Sequence, residues 1–360
     1  MTTNSEHERG PGTGSYADAG VDLEAAERSV DLIRAAVAGA QRPEVLGGIG
    51  GFGGLFAFDP SPYREPVLVS STDGAGTKVD LARRLDALDT IGQDLVAMVV
   101  NDLVVAGAQP LFFNDYLVMG KLDPDRVARI VGGIADGCRL AGCALNGGET
   151  AEHPGLLGDD EFDLAGFGVG VVERSRMLGP NLVRPGDELV ALGSSGVHSN
   201  GFSLIRRLVD HLDLEQSHGL DRALGAELMT PTRIYVRDCL ALADEVELHA
   251  LCHVTGGGIP GNLPRVLPEG LGAGVDATTW ERPPVFDLLQ SLGPVADDEM
   301  WRTFNLGVGM LAVVAAGAGD QAVALLTERG VPAWVLGAVE EGDQVRISRA
   351  VPGDGAGVTR

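Results

Sequence analysis

The sequence predicts a mixed α/β or α+β protein of two domains, and three observations lead there. Its 360 residues exceed what one ordinary hydrophobic core encloses. Short β-branched apolar runs alternate with longer stretches of helical apolar spacing, the pattern of sheets covered by helices. Glycine, 52 residues in all, gathers in short clusters where the backbone turns sharply or approaches a ligand.

Residues 1–15 are polar and Gly-rich and read as a disordered tail. The first domain is expected over 16–174. It opens with a helix from Val21, in which Asp22 is the N-cap, Val30, Ile33 and Val37 share a face, and Pro43 lies beyond the end. The loop GGIGGFGG follows, then the strand PVLVSST, which delivers Asp73 at its C-terminal end. Next come a helix over Thr90–Gly107, the strand LFFNDYLVM, a helix over Pro124–Cys143, a short strand running into NGGET, and the strand DLAGFGVGVVE. The turn RPGDE near Gly186 starts the second domain, 175–360. Its strand DELVALGSS enters a Gly/Ser/His/Asn loop, followed by a helix from Phe202, a helix around Arg233–Asp244 and the strand LHALCHV. The strand FNLGVGMLAVVA, a helix around Gln321–Arg329 and the strand AWVLGAV close the chain. The longest apolar stretch, from Leu306, is shorter than the ~20 residues of a membrane span and is broken by glycines, so it reads as a buried strand.

Formal net charge is −24, which argues against a nucleic-acid surface, since phosphate binding there needs clustered Lys and Arg. A small phosphorylated ligand remains open, through backbone N–H groups or carboxylate-held Mg²⁺. Cys138, Cys143, Cys239 and Cys252 match no zinc or redox spacing and read as reduced cysteines of a cytoplasmic protein. No signal peptide is apparent at the N-terminus.

Five segments could carry chemistry. Gly48–Gly53 satisfies G-x-G-x-x-G, but a helix and Pro43 precede it, so a Rossmann reading fails. What remains is a glycine loop, Gly50, Gly51, Gly53 and Gly54, that either folds over a triphosphate or merely connects. In the second, Asp73, Gly74, Gly76, Thr77 and Lys78 end a strand with a carboxylate suited to Mg²⁺ and an ammonium suited to phosphate; it is not a P-loop, and a plain β-turn is the alternative. In the third, Asp94, Asn101 and Asp102 share a face of an apolar helix, where carboxylates need a cation or donors. Asp115 is another acid in apolar company. In the fourth, Gly147, Gly148 and Glu149 follow a strand, so Asp73, Asp102 and Glu149 look like oxygen ligands for Mg²⁺–ATP. In the fifth, Ser195, His198, Ser199 and Asn200 sit at a strand-to-helix turn with the geometry of an anion loop, and His253–Gly258, with Thr255, Gly256, Gly257 and Gly258, forms a second such loop. His198 is either a phosphate neutraliser or acid/base, or a structural histidine.

Together these segments resemble the phosphoribosylformylglycinamidine cyclo-ligase family, the aminoimidazole ribonucleotide synthetases. The likeness rests on SYADAGVD, RPEVLGGIGGFGG, DGAGTK, DLVAMVVNDLVVAGAQPLFFNDY, GGETAEHPG, GSSGVHSNGFSL, PTRIYV, HVTGGGIPGNLPRVLP and RTFNLGVGM, and runs from Ser15 to about Val339. It implies a homodimer whose N-terminal sheets pair, with an ATP site built from N-terminal motifs. It also implies formylglycinamidine ribonucleotide as substrate, ATP and Mg²⁺ as co-reactant and cofactor, and no membrane or nucleic-acid partner. On these positions it implies Mg²⁺ on Asp73, Asp102 and Glu149, phosphate on Lys78, ATP under Gly50–Gly54, and substrate ribose phosphate on His198, Ser199, Asn200 and Thr255–Gly258. The sequence departs from the family's usual pattern at Ala17, where Lys is usual, at Asn146, where an apolar residue is common, and at His153, where Met is common.

Overall fold

The computed structural model describes residues 23–47 and 51–349; the tail expected over residues 1–15, the Asp22 cap and Gly50 lie outside them. β1 (Val45–Leu46) and β2 (Leu55–Phe56) pair as a small antiparallel hairpin at the glycine loop. β3 (Pro66–Gly74), β4 (Gln109–Met119), β5 (Ala144–Glu152) and β6 (Phe162–Glu173) form a four-stranded sheet in the order β3-β6-β4-β5. In that sheet only β4 and β5 run parallel. Parallel neighbours need a crossover. Helix α4 supplies it.

One face of this sheet is covered by α3 (Leu88–Val105) and α4 (Pro124–Ala141), against which α1 (Leu23–Ala38) packs, while α2 (Lys78–Arg84) follows β3 directly. The ends of α4 are written in its sequence. Asp123 accepts from the N–H groups of Asp125 and Arg126, and Gly142 closes the helix at a φ of 78°. α3 and α4 approach closely because glycines line the crossing: a Cβ on Gly92 would overlap the Ile130 carbonyl, and one on Gly133 the Asp89 carbonyl. The other face of the sheet is bare and apolar, with Leu68, Phe167 and Tyr116 exposed.

The second domain is a six-stranded sheet made of β7 (Glu188–Gly193), β8 (Leu248–His253), β9 (Leu271–Asp276), β10 (Val308–Val314), β11 (Ala333–Glu341) and β12 (Val345–Ser348), ordered β12-β9-β11-β7-β10-β8. All its pairs are antiparallel except β12 with β9. β10 is buried throughout, as its unbroken apolar run predicts. α5 (Phe202–Val209), α6 (Leu224–Leu228) and α7 (Val236–Glu245) follow the loops after β7. β9 and β12 carry no strand signal strong enough to read from sequence: one is rich in Gly and Ala, the other is four residues long. Among the described residues no helix is long and apolar enough to cross a membrane.

α3 belongs to both domains. It lies on the first sheet and also packs against β8 and α7 of the second. Whatever projects from its outward face is therefore placed between the domains.

Candidate active site

The polar face of α3 splits into two jobs. Asp94 is fully buried, and its carboxylate lies 2.8 and 2.9 Å from Lys78 Nζ. It also accepts from Ser199 Oγ (3.1 Å), Thr232 N (2.8 Å) and Thr232 Oγ1 (2.6 Å). One turn pair further on, Asn101 donates to Arg233 O and accepts from Tyr235 N, both at 2.9 Å. These residues clamp the loop 230–235 of the second domain onto α3. Asp102 faces outward, and its Oδ1 lies 2.9 Å from His253 Nδ1.

Lys78 is corrected by its surroundings. Besides Asp94, its ammonium donates to the carbonyls of His198 (3.1 Å) and Thr230 (2.9 Å), which uses its donors, and the ring of Phe202 lies 5.4 Å away. Burial pushes its pKa down, against the pull of Asp94. In this arrangement it pins the two domains together. Asn101 is likewise spent on the loop, not on a cofactor.

Asp73 ends β3 and accepts from the N–H of Gly74 at 2.8 Å. Burial raises its carboxyl above the ordinary value and the charge of Asp102 raises it further, while the Gly74 N–H and His253 oppose both. Carboxylates of this kind are the oxygen ligands that a hard cation takes. Gly76, at a φ of 62°, turns the chain so that Thr77 Oγ1 meets Ser203 Oγ of the second domain at 3.1 Å.

Glu149 is elsewhere. Across the first sheet Asp73 is in register with Gly166, Gly166 with Asp115, and Asp115 with Gly148. Asp73 and the strand carrying Glu149 thus lie at opposite edges, ~14 Å apart by the spacing of strands. Among the described residues no three His, Cys, Asp or Glu side chains are grouped to hold a metal. The expected trio is not assembled within one protomer; Asp73 and Asp102 remain. The glycine loop sits at the Glu149 edge: Gly54 abuts the Asn146 carbonyl and lies beside Gly147, leaving no room for a side chain. Gly51 and Gly53 flank Phe52, which is fully exposed. The register slips at Asn146, a β-bulge.

Of the expected substrate residues, Ser195 and Ser199 spend their hydroxyls internally, on Pro231 O (2.6 Å) and on Asp94 and Thr232. His198 is buried at a φ of 67°, and its Nε2 accepts from Ser195 N at 3.2 Å. Burial, then the charges of His253, Lys78 and Arg233, push its pKa well below the ordinary histidine value. Burial therefore disfavours a charged ring at this position. Asn200 stays at the cleft, with Nδ2 3.9 Å from Met98 Sδ and Oδ1 against Gly256. The loop Thr255–Gly258 is preformed around Asn262, whose Nδ2 donates to the carbonyls of residues 255, 256 and 258 at 3.3, 3.2 and 2.9 Å. The cleft is therefore lined by Asp73, Asp102, His253, Asn200 and the 255–258 loop. His253 opens the loop that the sequence reading marked, whereas Asn262, downstream of HVTGGG, was not singled out.

With this geometry, the comparisons with known proteins are direct. Residues 61–172 match the model described as AIR synthase related protein, N-terminal domain, and residues 184–349 the corresponding C-terminal domain. The chain is 54% identical over 331 residues to the phosphoribosylformylglycinamidine cyclo-ligase of Anaeromyxobacter dehalogenans strain 2CP-C, covering 91% of this chain and 96% of that one. The same enzyme of Anaeromyxobacter sp. strain K is equally similar, at 54% over 331 residues, with 91% and 96% covered. Among solved structures, thiamine-monophosphate kinase from Stenotrophomonas maltophilia K279a superposes with a TM-score of 0.66 at 21% identity, over 89% of this chain and 96% of that one. Hydrogenase maturation protein HypE in complex with ATP does so with 0.67 at 19%, over 92% and 94%. These two likenesses speak for the fold alone.

Proposed function

The chain belongs to the phosphoribosylformylglycinamidine cyclo-ligase family, and from that premise we propose that it closes formylglycinamidine ribonucleotide to 5-aminoimidazole ribonucleotide, a ligase step of purine biosynthesis that consumes ATP and releases ADP and phosphate. The observation that carries this is identity of 54% across 91% of the chain. In the family reaction the formyl amide oxygen is phosphorylated, which makes it a leaving group. An amidine-side nitrogen then attacks that carbon, and phosphate departs.

The residues divide this work by position. Asp73 and Asp102 fit Mg²⁺, which usually takes one or two carboxylates and fills its remaining sites with water and phosphate oxygens. Bound there, the ion would offset charge on the transferring phosphoryl group. His253 fixes Asp102 by the 2.9 Å hydrogen bond, and Asn200 with the 255–258 loop holds the substrate. Catalysis by such a site is positioning and charge neutralisation.

We further propose a homodimer. The bare face bearing Leu68, Phe167 and Tyr116 suits burial against a second copy. Pairing would also bring the glycine loop and Glu149 of one protomer toward the Asp73 edge of its partner, which explains why one chain leaves these motifs apart. We place the enzyme in the cytoplasm, a setting that suits its four free, buried cysteines.

The test is a coupled assay on purified protein with formylglycinamidine ribonucleotide and Mg²⁺–ATP. ADP and the diazotisable aminoimidazole should appear in equal amounts. ADP without the imidazole would sink the substrate assignment.

A further inference from the structure

Both side chains expected to meet phosphate as cations are engaged within the protein: Lys78 has spent its donors inside the domain junction, and His198 is buried with Nε2 accepting from Ser195 N. The cleft facing a nucleotide triphosphate and a ribose phosphate then holds two carboxylates, Asp73 and Asp102. Arg233 stands apart from this pattern. Its backbone is gripped from both sides, by Asp94 on Thr232 N and by Asn101 on Arg233 O and Tyr235 N. Yet among the described residues its guanidinium has no hydrogen bond or ion pair, and Nε is buried without a partner. A buried donor of a charged group left unpaired is costly, and an acceptor arriving from outside would satisfy it. Its location agrees. Its carbonyl accepts at 2.9 Å from Asn101, the residue next to Asp102 on α3.

We propose that Arg233 is a substrate-contacting residue whose guanidinium takes a phosphate group in the interdomain cleft. The proposal rests on the cyclo-ligase reading for the identity of that phosphate, which is either the ribose 5-phosphate of the substrate or the phosphoryl group carried by ATP. The planar fork of Arg matches two phosphate oxygens at once, which neither a lysine nor a neutral imidazole does. The grip on its backbone has a purpose under this assignment. Loop 230–235 is clamped to the same helix that carries Asp102, so cation and carboxylate keep a fixed separation across the reacting groups. PTRIYV is then a motif with a function in each half: Thr232 locks the loop and Arg233 reads the ligand.

The test uses the full-length chain and two probes, ribose 5-phosphate and Mg²⁺–ATP, titrated calorimetrically into wild type, Arg233→Met and Arg233→Lys. Arg233→Met should lose about 30-fold in affinity for one probe. Loss toward ribose 5-phosphate assigns the substrate's phosphate, and loss toward ATP assigns the transferred group. Wild-type affinity of Arg233→Met for both probes, or no binding of either by wild type, overturns the proposal. Turnover gives a readout that a packing role would not move. Arg233→Met should fall in kcat/KM with an unchanged melting temperature, and Arg233→Lys or added guanidinium should restore part of it. A lowered melting temperature with no rescue counts against the assignment. Wild-type production of ADP and aminoimidazole tests the underlying reading separately. If wild type makes both and Arg233→Met does so equally well, this proposal alone fails. If wild type makes neither but Arg233→Met loses phosphate affinity, the reaction has been misread and the anion site stands.

Discussion

Replacing Lys78 by Met separates two accounts of the same residue. Methionine keeps much of the volume but removes the ammonium. Asp94 would then be a buried carboxylate with three donors, from Ser199 and Thr232, and no countercharge. The carbonyls of His198 and Thr230 would also lose their donor. Removing one partner of a buried ion pair costs about 3–5 kcal/mol, because the other charge stays desolvated. Since Lys78 and Asp94 come from the first domain and both carbonyls from the second, the loss should fall on the junction. The assay is denaturant unfolding followed by two probes, far-ultraviolet dichroism for the whole chain and tryptophan fluorescence for the second domain, where Trp280, Trp301 and Trp334 cluster. Both midpoints should drop. Adding Asp94→Leu removes the stranded charge and should recover part of the loss despite ungripping Thr232, a coupling visible in a double-mutant cycle. A Lys78→Met protein that unfolds like wild type but has a selectively raised KM for ATP would refute the pin and reinstate the phosphate contact.

Asp102→Asn should lower turnover at least ~100-fold with an unchanged melting temperature, since it weakens the cation site without touching the core; near-normal rates in the coupled assay would remove Asp102 from that site. Burial raises the Asp115 carboxyl to about 7. A raised carboxyl favours the folded state below the ordinary carboxylate range and loses that contribution as pH climbs through about 7. Asp115→Asn should therefore be more stable than wild type at pH 8, by up to about 4 kcal/mol, and flatter in stability between pH 4 and 8; parallel curves would contradict the burial argument. Phe167→Asp places a charge on the bare face of the first sheet and should convert a dimer to monomers in sedimentation equilibrium, with activity falling alongside; a monomeric wild type would end the dimer proposal.

Sequence disclosed the elements far better than their partners. β4 and β10 announced themselves by β-branched and aromatic runs, and α4 was legible over Pro124–Cys143. The shared face of Asp94, Asn101 and Asp102 was also legible, because it follows from helical spacing. What each side chain meets does not follow from spacing. Asp94 finds its cation in Lys78, 16 positions earlier in the chain, because α2 folds back beside α3. The Mg²⁺ trio failed for a topological reason. Asp73 ends β3 and Asp102 stands on α3, whereas Glu149 lies within β5, and the order β3-β6-β4-β5 sends β3 and β5 to opposite edges. Arg233 was passed over because a lone basic residue inside a longer motif has no periodicity to mark it.

The division of labour along α3 has a consequence for how this enzyme tolerates change. Asp94 and Asn101 hold the second domain by buried hydrogen bonds, whereas Asp102, next to Asn101 in the chain, is nearly half exposed on the cleft. A rigid helix transmits any tilt at its clamps directly to its neighbouring side chains. Asp94→Asn should therefore cost stability and turnover together, since it loosens Lys78, Thr232 and the loop that carries Arg233 in one step. Asp102→Asn should cost turnover alone. If the two variants proved alike in both measurements, α3 would not be the element that registers the carboxylate site against the second domain.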